Sequence, residues 1–375
     1  MTRILTTHIG SLPRPDDLAA LLRQRDTGGV TDRRAFETRV RLAVEDVVRR
    51  QVTAGLDIVN DGEQSKPDYS TYIKDRLTGF EGEPAAMPLA ADLRDFPAYA
   101  ARTRTAASER RPTCSGPLAW RDFDAVEADI QNQAATAAAA GATQAFMTAV
   151  SPGQAARFLD NRYYPSHEAY VGALAEVLER EYAAIVGAGF VLQIDCPDLA
   201  SGRNNQFQHL SLSEFRKVAA LHVEALNHAV RGLPPERMRL HVCWGNYEGP
   251  HHRDVALGDI IDILLGARPA GLSIEGANPR HAHEWKVFER VKLPEGKTLI
   301  PGVLDTTTNF IEHPELVGQR LRRYASVVGR DRVIAGVDCG FATVASRPVV
   351  EPAIAWAKLG SLVEGARLAS RELWT

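Results

Sequence analysis

Short apolar, β-branched runs recur along this chain, and longer stretches with helical spacing separate most of them. The runs fall at 4–9, 57–61, 144–150, 191–195, 239–243, 271–275, 299–305 and 333–339. Helix-like segments at 33–54, 121–140, 166–186, 212–231, 254–266 and 314–328 lie between them. Strands joined by helical crossovers run parallel, and about eight of them predict an α/β fold, a closed (β/α)8 TIM barrel. Ser166 and Ser213 are placed to cap two of the helices, and Gly187 and Gly189 follow one where a stop is expected. At 375 residues the chain has room for one such barrel with additions.

The rhythm breaks between about 77 and 120, where Pro84, Pro88, Pro97, Pro112 and Pro117 accumulate beside the basic pair Arg110-Arg111. The interval reads as an excursion over the barrel mouth, placed to act as a lid. It ends in a further strand-like run around 112–118, a ninth candidate for eight barrel places. No internal repeat or low-complexity tail is visible, so residues 1–375 are expected to form a single domain.

A formal charge of -3 without large Lys/Arg clusters argues against nucleic acid or an anionic membrane as partner. No apolar run approaches the roughly 20 residues of a membrane helix. The start, Met-Thr-Arg-Ile-Leu-Thr-Thr-His, lacks the apolar core of an export signal. Four cysteines are too few to staple a chain of this length, so a reducing cytoplasm with free thiols is expected. The sequence leaves assembly state open and allows a homo-oligomer. Dinucleotide, phosphate-loop and serine-hydrolase motifs are missing.

Four side chains stand out at strand ends. His241 and Cys243 close Arg239-Leu-His-Val-Cys243, Glu275 closes Gly271-Leu-Ser-Ile-Glu275, and Cys339 closes the run from Arg332. Residues two apart on a strand share a face, so His241 and Cys243 aim the same way. Barrel chemistry sits at the carboxyl ends of strands, and these four reach that level from three strands. Any one of them alone reads equally well as a buried core residue. Together, an imidazole, two thiolates and a carboxylate suit tetrahedral zinc with one displaceable ligand.

Other residues occupy the same level. Asp195 ends Val191-Leu-Gln-Ile-Asp195, where an acid is better placed for substrate than for the core. Asp61 and Glu63 flank Gly62, as turn acids or as ligand-facing groups. Ser11 offers a hydroxyl and nearby main chain to a carboxylate, or makes a simple turn before Pro13. Asp305 and Asp338 are candidates to hold imidazole or thiolate ligands in place. Cys114 and Cys196 are poorer metal ligands, and His251-His252 and His281-x-His283 read as surface or substrate-loop histidines.

At these residues the chain resembles the C-terminal catalytic barrel of cobalamin-independent methionine synthase. The likeness runs from Thr6-Thr-His-Ile-Gly-Ser11, through Asp61-Gly-Glu63, Gln193-Ile-Asp195, His241-x-Cys243, Ser273-Ile-Glu275 and Gly302-Val-x-Asp305, to Val337-Asp-Cys-Gly340. It implies a shorter, single-barrel relative, without the separate N-terminal barrel of the full-length enzyme. It also implies zinc on His241, Cys243, Glu275 and Cys339. Ile9, Ser11, Glu63 and Asp195 would hold the amino-acid part of homocysteine, with Asp195 and Glu275 acting in catalysis.

The implied reaction is methyl transfer to that thiol, giving methionine, from methylfolate or another donor. Three features depart from the family. Thr307 stands where the family carries a histidine beside the folate, and the Asp-x-Ser-Arg folate segment finds no clean match. The family's Thr-Gly-Pro strand is echoed by Cys114-Ser-Gly-Pro-Leu-Ala-Trp120, with the tryptophan arriving early. These departures keep open an epoxyalkane:coenzyme M type of thiol alkylation. A zinc protein without turnover, or a zinc hydrolase, remains a further class, although two thiolate ligands weigh against the hydrolase.

Overall fold

The computed structural model describes residues 2–29, 32–103, 110–345 and 348–375. In chain order the strands are β1 (Leu5–Thr6), β2 (Ile58–Val59), β3 (Gly82–Ala86), β4 (Arg110–Thr113), β5 (Gln144–Val150), β6 (Val191–Asp195), β7 (Met238–Val242), β8 (Gly271–Ile274), β9 (Thr298–Pro301) and β10 (Ile334–Ala335). β2, β5, β6, β7, β8 and β9 pair in that order as one parallel sheet, and β1 pairs parallel with β10. Main-chain bonds continue beyond these ladders: Gly336 N–H donates to Pro301, Thr7 N–H to Ala335, and Asp57 N–H to Thr6. The result is a curled parallel sheet with helices on its outside.

The middle strands are buried along nearly their whole length, as a parallel sheet covered on both faces requires. Helix His167–Gly187 shows how the outer layer is built. Tyr170, Leu174, Leu178, Tyr182 and Ile185 recur every three or four residues and are all buried. Each such side chain contributes about 1.5–3 kcal/mol on leaving water. Ser166 caps this helix by accepting from Ala169 N–H, as expected. The next helix, Leu212–Ala229, begins differently from expectation. Ser213 lies inside it, and Ser211 is the cap, because Glu214 three residues on completes a reciprocal capping box.

The excursion accounts for the ninth strand. β4 pairs antiparallel with β3 in a separate two-stranded sheet, so it stands outside the parallel set. Residues 104–109 of the excursion lie outside the described residues. The helix expected at 254–266 is reduced to Ile261–Leu265 after a 3-10 turn at Leu257–Asp259. A long helix at Pro352–Leu373 was not among the expected segments. Among the described residues, no helix is long and apolar enough to cross a membrane.

Candidate active site

β7 builds the floor and the wall of the site together. Alternate residues of a strand share a face, so Arg239, His241 and Cys243 form one row. At the floor, Arg239 Nε donates to Gln193 Oε1 at 2.8 Å, and its Nη atoms reach Thr7 Oγ1 and the His8 carbonyl. Burial lowers its pKa to about 9. The parallel register sets Asp195 beside His241 and His241 beside Ser273, which brings β6, β7 and β8 to one level.

His241, Cys243 and Cys339 converge at that level. Their ligand atoms all lie within 4.8 Å of one another, and all three residues are buried. His241 Nδ1 is 3.4 Å from Ser273 Oγ, while Nε2 is buried with no hydrogen-bond partner among the described residues. The Cys339 contact holds the Cys243 thiol well below the usual thiol range, and the same contact pushes Cys339 well above it. Two buried sulfurs and a ring nitrogen with no hydrogen-bond partner among the described residues, all within 4.8 Å, fit a soft metal ion. Zinc–sulfur and zinc–nitrogen bonds of about 2.0–2.3 Å in a tetrahedron put ligand atoms nearly 4 Å apart.

Glu275 stands outside this trio. Its Oε1 accepts from Trp244 N–H and its Oε2 from the Asn278 amide, both at 2.7 Å. Burial, and then the charge on Cys243, push its carboxyl well above the usual range. Asp338 does not hold an imidazole or thiolate. It accepts from the main-chain N–H groups of Gly276, Ala277 and Asn278, and so fixes the loop that carries Glu275 and Asn278. Asp305 likewise turns inward on Thr307, accepting from its N–H and hydroxyl at 2.7 Å each. Cys114 and Cys196 are free thiols outside the group.

Ile9, Ser11, Glu63, Asp195, His241, Cys243 and Cys339 line one cavity of about 350 Å³. Glu63 sits at a φ of 55°, and its Oε2 is buried without a partner among the described residues, while Oε1 accepts from Thr148. Gly10 at a φ of +132° permits this approach, since a Cβ there would lie 2.6 Å from Glu63 Oε1. Burial raises the carboxyls of Glu63 and Asp195, and the charge of Glu63 drives Asp195 further up. A second cavity of about 420 Å³, lined by Glu275, Asp305 and Thr307, meets the first at Cys339 and Gly245–Tyr247.

Several contributors were not legible as site residues. From the excursion, Met87, Pro88, Leu89 and Leu93 line the first cavity. Asp92 ties this segment to the loop after β7 by accepting from Tyr247 Oη at 2.5 Å. His281 is buried and not on the surface. It stacks on Trp244 at 4.3 Å, and Asp254 and Glu284 hold its pKa up at about 10 against burial. His252 and His283 are exposed, and His252 is paired with Asp95. Trp120 lines neither cavity and donates its indole N–H to the Val177 carbonyl. Arg157 reaches the wall from the last turn of the helix Pro152–Phe158 that follows β5, beyond the strand end that singled out Asp195.

Fold and cavity define an α/β protein with a sulfur-rich, acid-lined pocket at the carboxyl end of a parallel sheet. The family described as "Cobalamin-independent synthase, Catalytic domain" matches residues 4–87 and 161–358, and the chain belongs to it. The chain is 26% identical to a methionine synthase of Thermococcus kodakarensis, over 98% of this chain and 94% of that protein. A methionine synthase of Pyrococcus furiosus is 25% identical over 98% and 93%. In fold the chain is similar to a B12-independent methionine synthase from Shewanella sp. W3-18-1 solved with selenomethionine, at a TM-score of 0.73, 21% identity and 99% coverage of both chains.

Proposed function

We propose that the protein transfers a methyl group to the sulfur of homocysteine, giving methionine, with zinc on His241, Cys243 and Cys339 as its cofactor. The observation that carries this reading is the single cavity where that trio lies with Glu63 and Asp195. It provides for the sulfur and the amine of one amino-acid thiol together. Relatives named methionine synthase, aligned along nearly the whole chain, support the same reaction.

Zinc, when bound, supplies a Lewis acid that keeps a thiol sulfur deprotonated near neutral pH. The chain's own groups bind and orient the rest of the molecule. Glu63, through its unpartnered Oε2, and Asp195 take the ammonium group. Ser11, with the main chain at Ile9, takes the carboxylate. Glu275 would complete the ligand set of the metal in place of its present contact with Asn278. The described parts of the excursion, 77–103 and 110–120, act as the lid that keeps water from the sulfur, and the methyl donor enters through the second cavity. The bonds from β9 to β10, β10 to β1 and β1 to β2 support closure as a (β/α)8 barrel. A reducing cytoplasm is the proposed location.

Thr307, tied to Asp305 in the second cavity, favours a second reading, in which the thiol opens an epoxide in place of taking a methyl group. Incubating zinc-loaded protein with homocysteine and a panel of methyl donors and epoxides, read by mass spectrometry, tests both. Methionine is expected. Epoxide adducts without methionine would favour the second reading, and no product from any pair would overturn both.

A further inference from the structure

The wall of the first cavity also carries Arg157 and Arg111, which the reading above does not use. Arg157 is only 7% exposed. Among the described residues its hydrogen bonds go to neutral groups: Nη1 donates to Gln154 Oε1 at 3.1 Å and to Ser201 Oγ at 2.7 Å. Its Nε is buried with no partner. The Arg111 guanidinium lies 3.8 Å from the centre of the Phe158 ring, and that of Arg157 lies 4.9 Å from the same ring. Burial works most against the charge on Arg157, the Asp198 carboxylate offsets part of that, and Arg111 adds to it, while Arg111 itself acts on the Asp68 carboxylate.

Carboxylates offset part of both charges, but the Nε of Arg157 has no acceptor among the described residues, and a buried donor in a cavity wall is costly until an anion in that cavity accepts from it. The neighbouring wall says what else that anion carries. Met87, Pro88, Leu93 and Val344 are apolar residues lining the same cavity. Arg111, Arg157 and Phe158 all fall between the two stretches matched by the family, so they do not belong to what defines it.

We propose that Arg157 and Arg111, set around Phe158, form an oxyanion subsite for a substrate carboxylate, sulfonate or phosphate whose apolar part fills the cavity. It rests on the proposed function for the chemistry at the sulfur, and on the guanidinium pair alone for the anion. Planar guanidinium forks recognise such groups through paired, charge-assisted hydrogen bonds.

Thermal melting of the full chain with butanoate, butane-1-sulfonate or butan-1-ol tests the subsite. The two anions should raise the Tm saturably, and the neutral alcohol should not. Arg157→Gln should weaken both anions about tenfold, the scale of one charge-assisted pair. Arg111→Gln, at a partly buried position, should weaken them too and guards against a folding defect in the first variant. Arg290→Gln, on the exposed surface, should leave both unchanged. Repeating the titration with saturating homocysteine separates the sources. Retained anion binding assigns the subsite to the methyl donor, and loss assigns it to the thiol's own carboxylate. No anion effect in wild type, or equal effects in all variants, overturns the subsite. Anion binding without methionine formation sinks only the proposed reaction.

Discussion

The Thr148 hydroxyl donates to Oε1 of Glu63 at 3.0 Å, while Oε2 of the same carboxylate is buried with nothing to accept from. Glu63 also holds a φ of 55°, which costs a non-glycine residue about 1 kcal/mol or more. An unsatisfied oxygen on a strained residue facing a cavity is arranged for a donor that arrives with ligand. For an ammonium donor, Glu63→Gln should raise KM for homocysteine about tenfold. Binding of 3-sulfanylpropanoate, which has no amine, should change little. Equal losses for both thiols would remove the ammonium role.

Asp195 is one of several buried carboxyls, with Glu63, Glu181 and Glu275, whose raised pKa makes stability fall as pH rises. Burial, then the charge of Glu63, holds its carboxyl well above the ordinary range. Such a group binds its proton more tightly folded than unfolded. Its stabilising contribution is therefore complete below the unfolded value near ~4, and drains away as pH climbs toward the folded one. Asp195→Asn removes this titration. In thiol-free protein the variant should gain on wild type in Tm from pH 4 to pH 8. A calorimetric pH series reads this directly, and an advantage that shrinks with rising pH would give the opposite sign.

The sulfur pair makes a compositional prediction. Purified protein should hold about one zinc per chain, as a three-ligand site with an open position does. Changing Cys243 and Cys339 together to Ser should abolish it. Cys114→Ser and Cys196→Ser, at buried thiols outside the group, should leave it intact. Elemental analysis decides, and undiminished zinc in the double variant would show that another set of residues binds it.

Much of this was legible because strand alternation acts over two or four residues. Gln193 and Asp195, or Arg239, His241 and Cys243, must share a face once the run is a strand, and the parallel register then lines the strands up. The segments 33–54, 144–150, 191–195 and 314–328 likewise show their periodicity within themselves. What sequence could not supply were contacts across long separations. Glu275 sits at the expected level, yet Trp244 N–H and Asn278 claim its oxygens, and Asp338 fixes that loop from 60 residues away. His281 reads as a surface histidine until Trp244 covers it. The Ser213 cap failed for a local reason, because Ser211 has Glu214 at the reciprocal position.

The junction of Asp92 with Tyr247 couples the excursion to the site. Tyr247 Oη donates to Asp92 Oδ2 at 2.5 Å, and His251 N–H donates to the same oxygen at 3.0 Å. Asp92 is fully buried on the short helix Ala91–Arg94, and its own N–H is held by Asn204 at 3.1 Å. Leu89 and Leu93, which line the cavity, therefore depend on a carboxylate fixed by the loop after β7. Tyr247→Phe keeps the ring and removes one donor from that carboxylate, a loss of about 1–3 kcal/mol. If the excursion moves as a lid, this loss should appear as faster hydrogen exchange across 88–103, with kcat/KM reduced and the Tm of the whole chain falling only slightly. A drop in global Tm with exchange in that segment unchanged would show that the bond stabilises the fold and does not govern the lid.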